Sequence, residues 1–164
     1  MMNKTIDIYS KGDYPANVLS NFYPIAFKID GVECQGMEGF LQSLKFKSIK
    51  AQTEVCALSG KEAKGRGQRK RLWKLTGRVY WQGRRIQRCG EEFSALILRA
   101  YREMAKQSEE FRRALISTDG AKLTHTIGKH RKRQTILTEE EFIFCLTTLR
   151  DELMKNNDCN EEKA

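Results

Sequence analysis

The chain has 164 residues, of which 40% are hydrophobic and 31% are charged, a balance that suits one globular domain and excludes a long disordered chain. No stretch comes near the roughly 20 apolar residues that a membrane-spanning helix requires, and the polar start, MMNKTIDIYS, differs from a signal peptide. We therefore expect a cytoplasmic protein without a membrane partner. The five cysteines are widely spaced and lack a C-x-x-C pair, which favours buried free thiols over disulfides or a zinc site.

The formal net charge of +9 is concentrated in two segments. The first segment covers residues 63–90 and contains no acidic residue. The second is a smaller basic cluster over residues 129–133. Such patches attract the phosphates of a nucleotide or of a nucleic-acid backbone, and the plainer interpretation is a solvated cationic surface. The ten basic residues of the first segment are Lys64, Arg66, Arg69, Lys70, Arg71, Lys74, Arg78, Arg84, Arg85 and Arg88.

The N-terminal part has the pattern of short strands. Residues 5–9 alternate between polar and apolar side chains, and residues 25–29 do the same before Asp30-Gly31, with apolar positions continuing over residues 32–34. Residues 25–29 and 32–34, joined by Asp30-Gly31, predict a β-hairpin. Between the first strand and this hairpin, residues 19–24 read Leu-Ser-Asn-Phe-Tyr-Pro and predict an irregular loop that carries two aromatic side chains.

Helices dominate from Met37 onward. We predict a first helix over residues 37–49 and a second over residues 51–60 that ends at Gly60, followed by short helix, loop and turn in the basic segment. A long helix beginning at Glu91 places its apolar residues at helical spacing on one face, which predicts a core helix. That face consists of Phe93, Leu96, Ile97, Ala100, Tyr101 and Met104.

The starts of the last two helices are indicated by capping residues. Ser108 precedes two glutamates, and Thr138 with Glu141 forms a capping box for a final long helix. Residues 156–164 are polar and predict a frayed tail behind one domain over residues 1–155. The predicted fold class is α+β, a helix-dominated single domain with a small N-terminal β-hairpin or sheet.

Three polar residues share one stripe of the first predicted helix. At about 100° per residue, Gln42 lies about 40° and Lys45 about 20° from Glu38, whereas the apolar residues of this helix cluster on the opposite side. Spacing alone also fits an ordinary solvent-facing stripe. The stripe is therefore a candidate site only in combination with the segments around it.

Those segments resemble the YbiA-like, or NADAR, family. The resemblance runs from about residue 8 to residue 153 and is strongest in the first third, where the order and spacing of the pieces are specific. Its first pieces are Leu19-Ser20-Asn21-Phe22-Tyr23-Pro24, Phe27, Asp30-Gly31, Glu38, Gln42 and Lys45-Phe46. Residues 63–66 are similar to a shortened form of the family's A-K-x-x-G-R element, and residues 149–150 resemble its closing L-x-x-x-R helix.

The resemblance implies an N-glycosidase that acts on ADP-ribose-linked guanine in nucleic acid, on NAD-related ligands, or on ribosylated intermediates of riboflavin synthesis. Glu38 would then supply acid-base help or stabilise the positive charge that develops on the sugar. Lys45 would either attack C1′ of the opened ribose to form a Schiff base, or stay charged and orient Glu38 or a phosphate. We expect no metal and no cofactor.

The same resemblance suggests which residues contact the substrate. Asn21 would bind sugar hydroxyls, Gln42 is a further substrate-binding candidate, and Phe22, Tyr23 or Trp81 would stack on a base, although an aromatic residue here also fits the core. The remaining substrate-binding candidates are Lys64 and Arg66 for a diphosphate, and Asp119. The expected partners are an ADP-ribose-type or other ribosylated nucleotide, and ADP-ribosylated DNA or RNA.

The C-terminal third departs from the family pattern. Residues 118–120 read Thr-Asp-Gly where relatives have Thr-Gly-Asp, an acidic residue expected near His125 is absent, and basic residues 129–133 replace an Asp-x-x-Trp-Gly-x-Gly segment. Two further hypotheses therefore stand beside the enzyme. One is a catalytically degenerate protein that binds ADP-ribose or an NAD derivative, and the other is a basic nucleic-acid-binding domain.

Overall fold

A computed structural model describes residues 4–161, with the side chains of residues 160 and 161 excepted. Within residues 4–161, eight helices and six short strands form one α+β domain in which helices predominate, as predicted. The strands are β1 (Thr5–Asp7), β2 (Phe27–Ile29), β3 (Val32–Cys34), β4 (Arg78–Trp81), β5 (Arg84–Gln87) and β6 (Lys122–Thr124). The helices are α1 (Ala16–Leu19), α2 (Met37–Ser43), α3 (Ile49–Cys56), α4 (Gly60–Gln68), α5 (Leu72–Thr76), α6 (Glu91–Gln107), α7 (Glu109–Ile116) and α8 (Glu139–Glu161).

The strands form three separate two-stranded sheets. The predicted hairpin is confirmed as the antiparallel pair β2–β3, whose turn residues Asp30 and Gly31 both have positive φ angles, 49° and 78°. Such angles match the twist of two-residue hairpins and favour Asp-Gly. β4 and β5 form a second hairpin in the basic segment. β1 pairs in parallel with β6 and so joins the N-terminal end of the domain to the segment before α8.

The core is centred on α6, as its periodicity predicted. The six apolar residues of its inner face are all buried, and the helix packs against β2, α7 and α8. Both predicted caps are confirmed as well. The hydroxyl of Ser108 accepts a hydrogen bond from the backbone N–H of Phe111 at 3.2 Å, and that of Thr138 accepts one from the N–H of Glu141 at 3.2 Å.

Several predicted boundaries are wrong. α2 ends at Ser43 rather than at residue 49, because i→i+3 bonds from Lys45 and Phe46 close a turn and the hydroxyl of Ser48 then caps α3. α3 ends at Cys56, and Gly60 begins α4 instead of ending a helix.

At the other end of the chain, α8 continues through residues 156–161 where a frayed tail was predicted, and residues 162–164 lie outside the described residues. Among the described residues, no helix is both long enough and apolar enough to cross a bilayer.

Candidate active site

One large cleft, of about 1280 Å³, opens beside α2. Its walls come from the loop before Tyr23, from α2, α4 and α5, and from the segment between β6 and α8, so that residues distant in sequence meet in one place. Six of the predicted site residues line it: Asn21, Phe22, Glu38, Gln42, Lys45 and Lys64.

Glu38 lies in the first turn of α2 and is only 7% exposed. Its Oε1 accepts a hydrogen bond of 2.8 Å from Nε2 of Gln42, one helical turn further on. Removal from water disfavours the carboxylate and raises the pKa of Glu38 above its ordinary value, although the Gln42 hydrogen bond and the charges of Lys64, Lys45 and His125 oppose the shift. The stripe predicted on this helix therefore faces a partly dry pocket, not open solvent.

Gln42 is held in an unusually close contact with α4. Gly67 lies so near that a Cβ atom there would overlap Oε1 of Gln42. Oε1 itself is buried and has no hydrogen-bond partner among the described residues. A buried amide oxygen without a partner is costly, so the contact with Gly67 holds Gln42 at the expense of one hydrogen bond.

Lys45 lies in the turn that follows α2 and is partly buried against aromatic surface. Its Nζ is 5.4 Å from the centroid of the Trp73 ring, and Nζ of Lys74 lies 5.9 Å from the same centroid. Desolvation lowers the pKa of Lys45 to about 8, and the neighbouring positive charges of Lys74, Lys64 and Lys129 act in the same direction, whereas Glu38 opposes them. An amine with this pKa is partly neutral near physiological pH.

The loop before β2 supplies the opposite wall. The backbone carbonyl of Asn21 accepts a hydrogen bond of 3.1 Å from the N–H of Glu38, and its side-chain Oδ1 accepts one of 2.6 Å from the hydroxyl of Tyr101. Asn21 is thus tied both to the start of α2 and to the core helix α6. Nζ of Lys64 lies 5.4 Å from the centroid of the Phe22 ring, a cation–π contact at the edge of the cleft.

Three predicted site residues lie outside the cleft. Trp81 is buried in the core, where it packs edge-to-face on Phe40 and donates a hydrogen bond of 2.7 Å to Asp30, so the prediction that it stacks on a base is wrong. Arg66 is exposed on α4 and pairs with Glu54 at 3.4 Å instead of lining the pocket. Asp119 is exposed in the turn between α7 and β6, away from the cleft lining.

Sequence reasoning missed His125 as a pocket residue. It follows β6 directly and lines the cleft, and its positive charge when protonated acts on Glu38. The parallel pairing of β1 with β6 brings it there, and that long-range pairing has no local signal in the sequence. Among the described residues, no group of three or more His, Cys, Asp or Glu side chains could hold a metal ion.

The rim of the cleft is strongly basic. Among the lining residues of the described chain, Glu38 is the sole acidic one, and seven are cationic. These seven are Lys45, Lys64, Arg69, Lys70, Arg71, Lys74 and Lys129. A concave surface of one charge sign between low-dielectric walls focuses its field, so the cleft attracts anionic groups such as phosphates.

The fold and the cleft define the class of protein. The structure is similar to the NMR structure of the E. coli protein YbiA, with a TM-score of 0.66 and 21% identity over 96% of this chain and 89% of that chain. The domain thus has the YbiA-like α+β fold, which confirms the predicted resemblance at the level of the fold.

Sequence comparison places the chain more narrowly. It matches the family described as bacteriophage protein GP30.3 over residues 13–151. A protein of enterobacteria phage T4, described as an uncharacterized 17.1 kDa protein in the Gp30-rIII intergenic region, is 38% identical over 149 residues, which cover 90% of this chain and 98% of that protein. The chain belongs to the bacteriophage GP30.3 family.

Proposed function

We propose that this protein is an N-glycosidase that hydrolyses the C1′–N bond of a ribosylated base, with ADP-ribose on guanine in nucleic acid as the leading substrate. Related ribosylated nucleotides, including riboflavin-pathway intermediates, are the other candidates. The observation that carries the proposal is the pairing, in one basic cleft, of a buried carboxyl whose pKa is raised with an amine whose pKa is lowered to about 8. Opposite shifts of two titratable groups in a pocket are typical of acid-base chemistry.

Glu38 supplies the proton that the leaving base requires. A carboxyl with a raised pKa holds its proton closer to neutral pH than an ordinary glutamic acid does. When the C1′–N bond breaks, its electron pair stays on the base nitrogen, and that nitrogen takes the proton of Glu38. The resulting carboxylate then lies beside the positive charge of the sugar and stabilises it.

Lys45 acts as the nucleophile. Its neutral amine attacks C1′ as the base departs, and the nitrogen then returns a proton to the Glu38 carboxylate. Opening of the ribose ring converts the Lys45–sugar bond to a Schiff base, which water hydrolyses to free the sugar and regenerate the amine. A pKa of about 8 leaves about one amine in ten neutral at pH 7, enough to sustain this step.

The remaining walls suit a nucleotide-sized anion. The volume of about 1280 Å³ exceeds the usual range of small-molecule pockets, about 300–1,000 Å³, and so leaves room for a dinucleotide. In this proposal Asn21 binds sugar hydroxyls, Gln42 fixes Glu38, Phe22 stacks on a base, and Lys64 with the basic rim binds phosphates; all four residues line the cleft.

The test is to incubate the protein with ADP-ribosylated DNA and RNA, NAD, ADP-ribose and pyrimidine ribosylamine phosphates, and to measure both products of C1′–N cleavage by mass spectrometry: free ADP-ribose from the nucleic acids and free base from the small molecules. We expect cleavage of at least one of these and none after heat denaturation of the protein. A blank result on every substrate would overturn the glycosidase.

A second candidate function is sequestration of ADP-ribose or an NAD derivative without turnover. It is favoured by the finding that Glu38 is the single acidic residue among the described residues of the cleft lining, because most glycosidases use two carboxylates. Tight binding of ADP-ribose by calorimetry, with no product after long incubation, would support this candidate over the enzyme.

A further inference from the structure

The ring of His125 is held in one tautomer. Its Nδ1 lies 2.6 Å from the backbone carbonyl oxygen of Ile8, at the end of the β1–β6 ladder. A carbonyl oxygen only accepts hydrogen bonds, so Nδ1 carries the hydrogen and donates it. In the neutral ring, Nε2 is then the basic nitrogen with a free lone pair.

The orientation of the ring is fixed from two more sides. Phe142 meets it edge-to-face, with centroids 5.1 Å apart. On the other side, a Cβ atom at Gly128 would lie 2.6 Å from Cδ2 of the imidazole, so only glycine lets the loop pass so close. The ring therefore keeps its position without support from a ligand.

Nε2 has no hydrogen-bond partner among the described residues, although the ring lines the cleft that contains Glu38. This arrangement, with one nitrogen tied to the protein and the other left for the pocket, is the usual one for a histidine that exchanges protons.

We propose that His125 is a further catalytic residue of the glycosidase and takes, through Nε2, the proton of the water that hydrolyses the Schiff base on Lys45, an inference that rests on the proposed function. The water oxygen bonds to C1′ as its proton moves to Nε2, and the second electron pair of the C1′=N bond moves to the Lys45 nitrogen. Nε2 then returns the proton to that nitrogen. The remaining C1′–N bond breaks with its electron pair on the amine, the new hydroxyl loses its proton to solvent, and the sugar leaves as the aldehyde.

The roles of Glu38 as proton donor and His125 as proton acceptor follow from the composition of the cleft. Hydrolysis needs one group that gives a proton and one that accepts a proton, and Glu38 is the sole carboxyl among the described lining residues. A neutral imidazole ring whose Nδ1–H is donated keeps a lone pair on Nε2, whereas an ammonium or guanidinium group of the rim only donates hydrogen bonds, so His125 is suited to accept the proton.

The first test uses His125→Asn, because the asparagine amide N–H can replace Nδ1–H as the donor to Ile8 while no atom replaces Nε2. We expect kcat to fall about 100-fold, as is typical for loss of a general base, with the Kd for ADP-ribose unchanged. The matched control is His130→Asn, which alters an exposed histidine outside the cleft lining and should leave kcat unchanged.

The second test is chemical rescue of His125→Ala by added imidazole. We expect imidazole to restore part of the lost rate, and restoration to follow the concentration of its neutral form. A variant that is slow because its structure is disturbed would gain nothing, and that outcome, or full activity of His125→Asn, overturns the proposal.

A third measurement does not depend on activity. Long-range ¹H–¹⁵N correlation spectra of the wild-type protein distinguish the two neutral tautomers, and we expect the Nδ1–H form for His125. The Nε2–H form would overturn the inference while leaving the proposed function standing. A wild-type protein that cleaves no C1′–N bond in any of the substrates would instead remove the proposed function, and the catalytic role of His125 with it.

Discussion

Nε2 of Gln42 donates a 2.8 Å hydrogen bond to Oε1 of Glu38 from one helical turn away, and both side chains are more than nine-tenths buried. The bond fixes the carboxyl group and leaves the other polar atom of the amide, Oε1, buried beside α4 without a partner among the described residues. Gly67 on α4 makes room for this amide. The pair is therefore held by a contact between two helices rather than by α2 alone.

The first prediction concerns Gly67. In Gly67→Ala, the new methyl group overlaps the amide of Gln42 and displaces it from Glu38, so we expect turnover to fall at least 10-fold and the free energy of unfolding to drop by about 1–3 kcal/mol. Denaturant titration and turnover measure these effects. The control for stability is Gly65→Ala on the same helix, where nothing lies within 4 Å of the added Cβ, and we expect a gain of up to about 1 kcal/mol. Equal stability changes in both variants would show that Gly67 is not in close contact with the Gln42 amide.

The second prediction concerns the pH dependence of stability through Glu38. Burial raises the pKa of Glu38 in the folded protein above the ordinary value of 4.5, so the unfolded chain loses this proton first as pH rises. The stability that the protonated carboxyl contributes is therefore present below pH 4.5 and is lost as pH rises through the folded pKa. Glu38→Gln removes that loss, and we expect it to be more stable than wild type at pH 8 but not at pH 4. Thermal unfolding at both pH values measures the difference, for which about 2–4 °C corresponds to 1 kcal/mol. A lower Tm of Glu38→Gln at pH 8 would show that the ionised carboxyl is not penalised.

The third prediction concerns the amine of Lys45. If it forms a Schiff base, sodium cyanoborohydride should trap the sugar on Lys45, and the trapped fraction should rise with a midpoint near pH 8, where desolvation places the pKa of Lys45. Peptide mass spectrometry locates the adduct. Lys45→Arg should give none, whereas Lys47→Arg, which changes an exposed lysine outside the cleft lining, should trap like wild type. Turnover without any adduct would assign Lys45 the other role, that of a fixed charge.

The fourth prediction separates a directed phosphate site from general basicity. We compare Lys70→Ala/Lys74→Ala, on the rim of the cleft, with Arg78→Ala/Arg85→Ala, which removes the same charge from exposed positions of the β4–β5 hairpin. The rim variant should bind single-stranded DNA about 10-fold more weakly and lose about two units of salt slope, whereas the hairpin variant should bind as wild type does. Equal losses, measured by fluorescence anisotropy over a salt series, would favour the plain nucleic-acid-binding domain.

The sequence predicted those features of the fold that depend on local patterns. The Asp30-Gly31 turn, the apolar face of α6 and the Ser108 cap each have a signal within a few residues, and each is confirmed. The end of α2 was misplaced because the Ser48 cap and the turn before it compete with a continuous helical pattern.

The sequence predicted those residues of the candidate site that lie close together along the chain. Glu38, Gln42 and Lys45 fall within two turns of chain and meet in the cleft, although Lys45 lies beyond the end of α2. His125 was missed because a parallel strand pair brings it to the cleft. Trp81 was misassigned because the sequence around a tryptophan that stacks on a base does not differ from that around a buried one. In the structure its indole N–H donates a hydrogen bond to Asp30 in the core.

The central claim is that Glu38 and Lys45 together cut a C1′–N bond, and the most direct measurement is the ADP-ribose released from ADP-ribosylated DNA by three proteins in parallel. With ADP-ribose affinity and Tm measured on the same samples, we predict that the wild-type protein releases ADP-ribose and leaves unmodified guanine in the DNA. Glu38→Gln and Lys45→Ala should remain folded and bind ADP-ribose but cleave the modified DNA at least 100-fold more slowly. Wild-type rates in both variants would contradict the account.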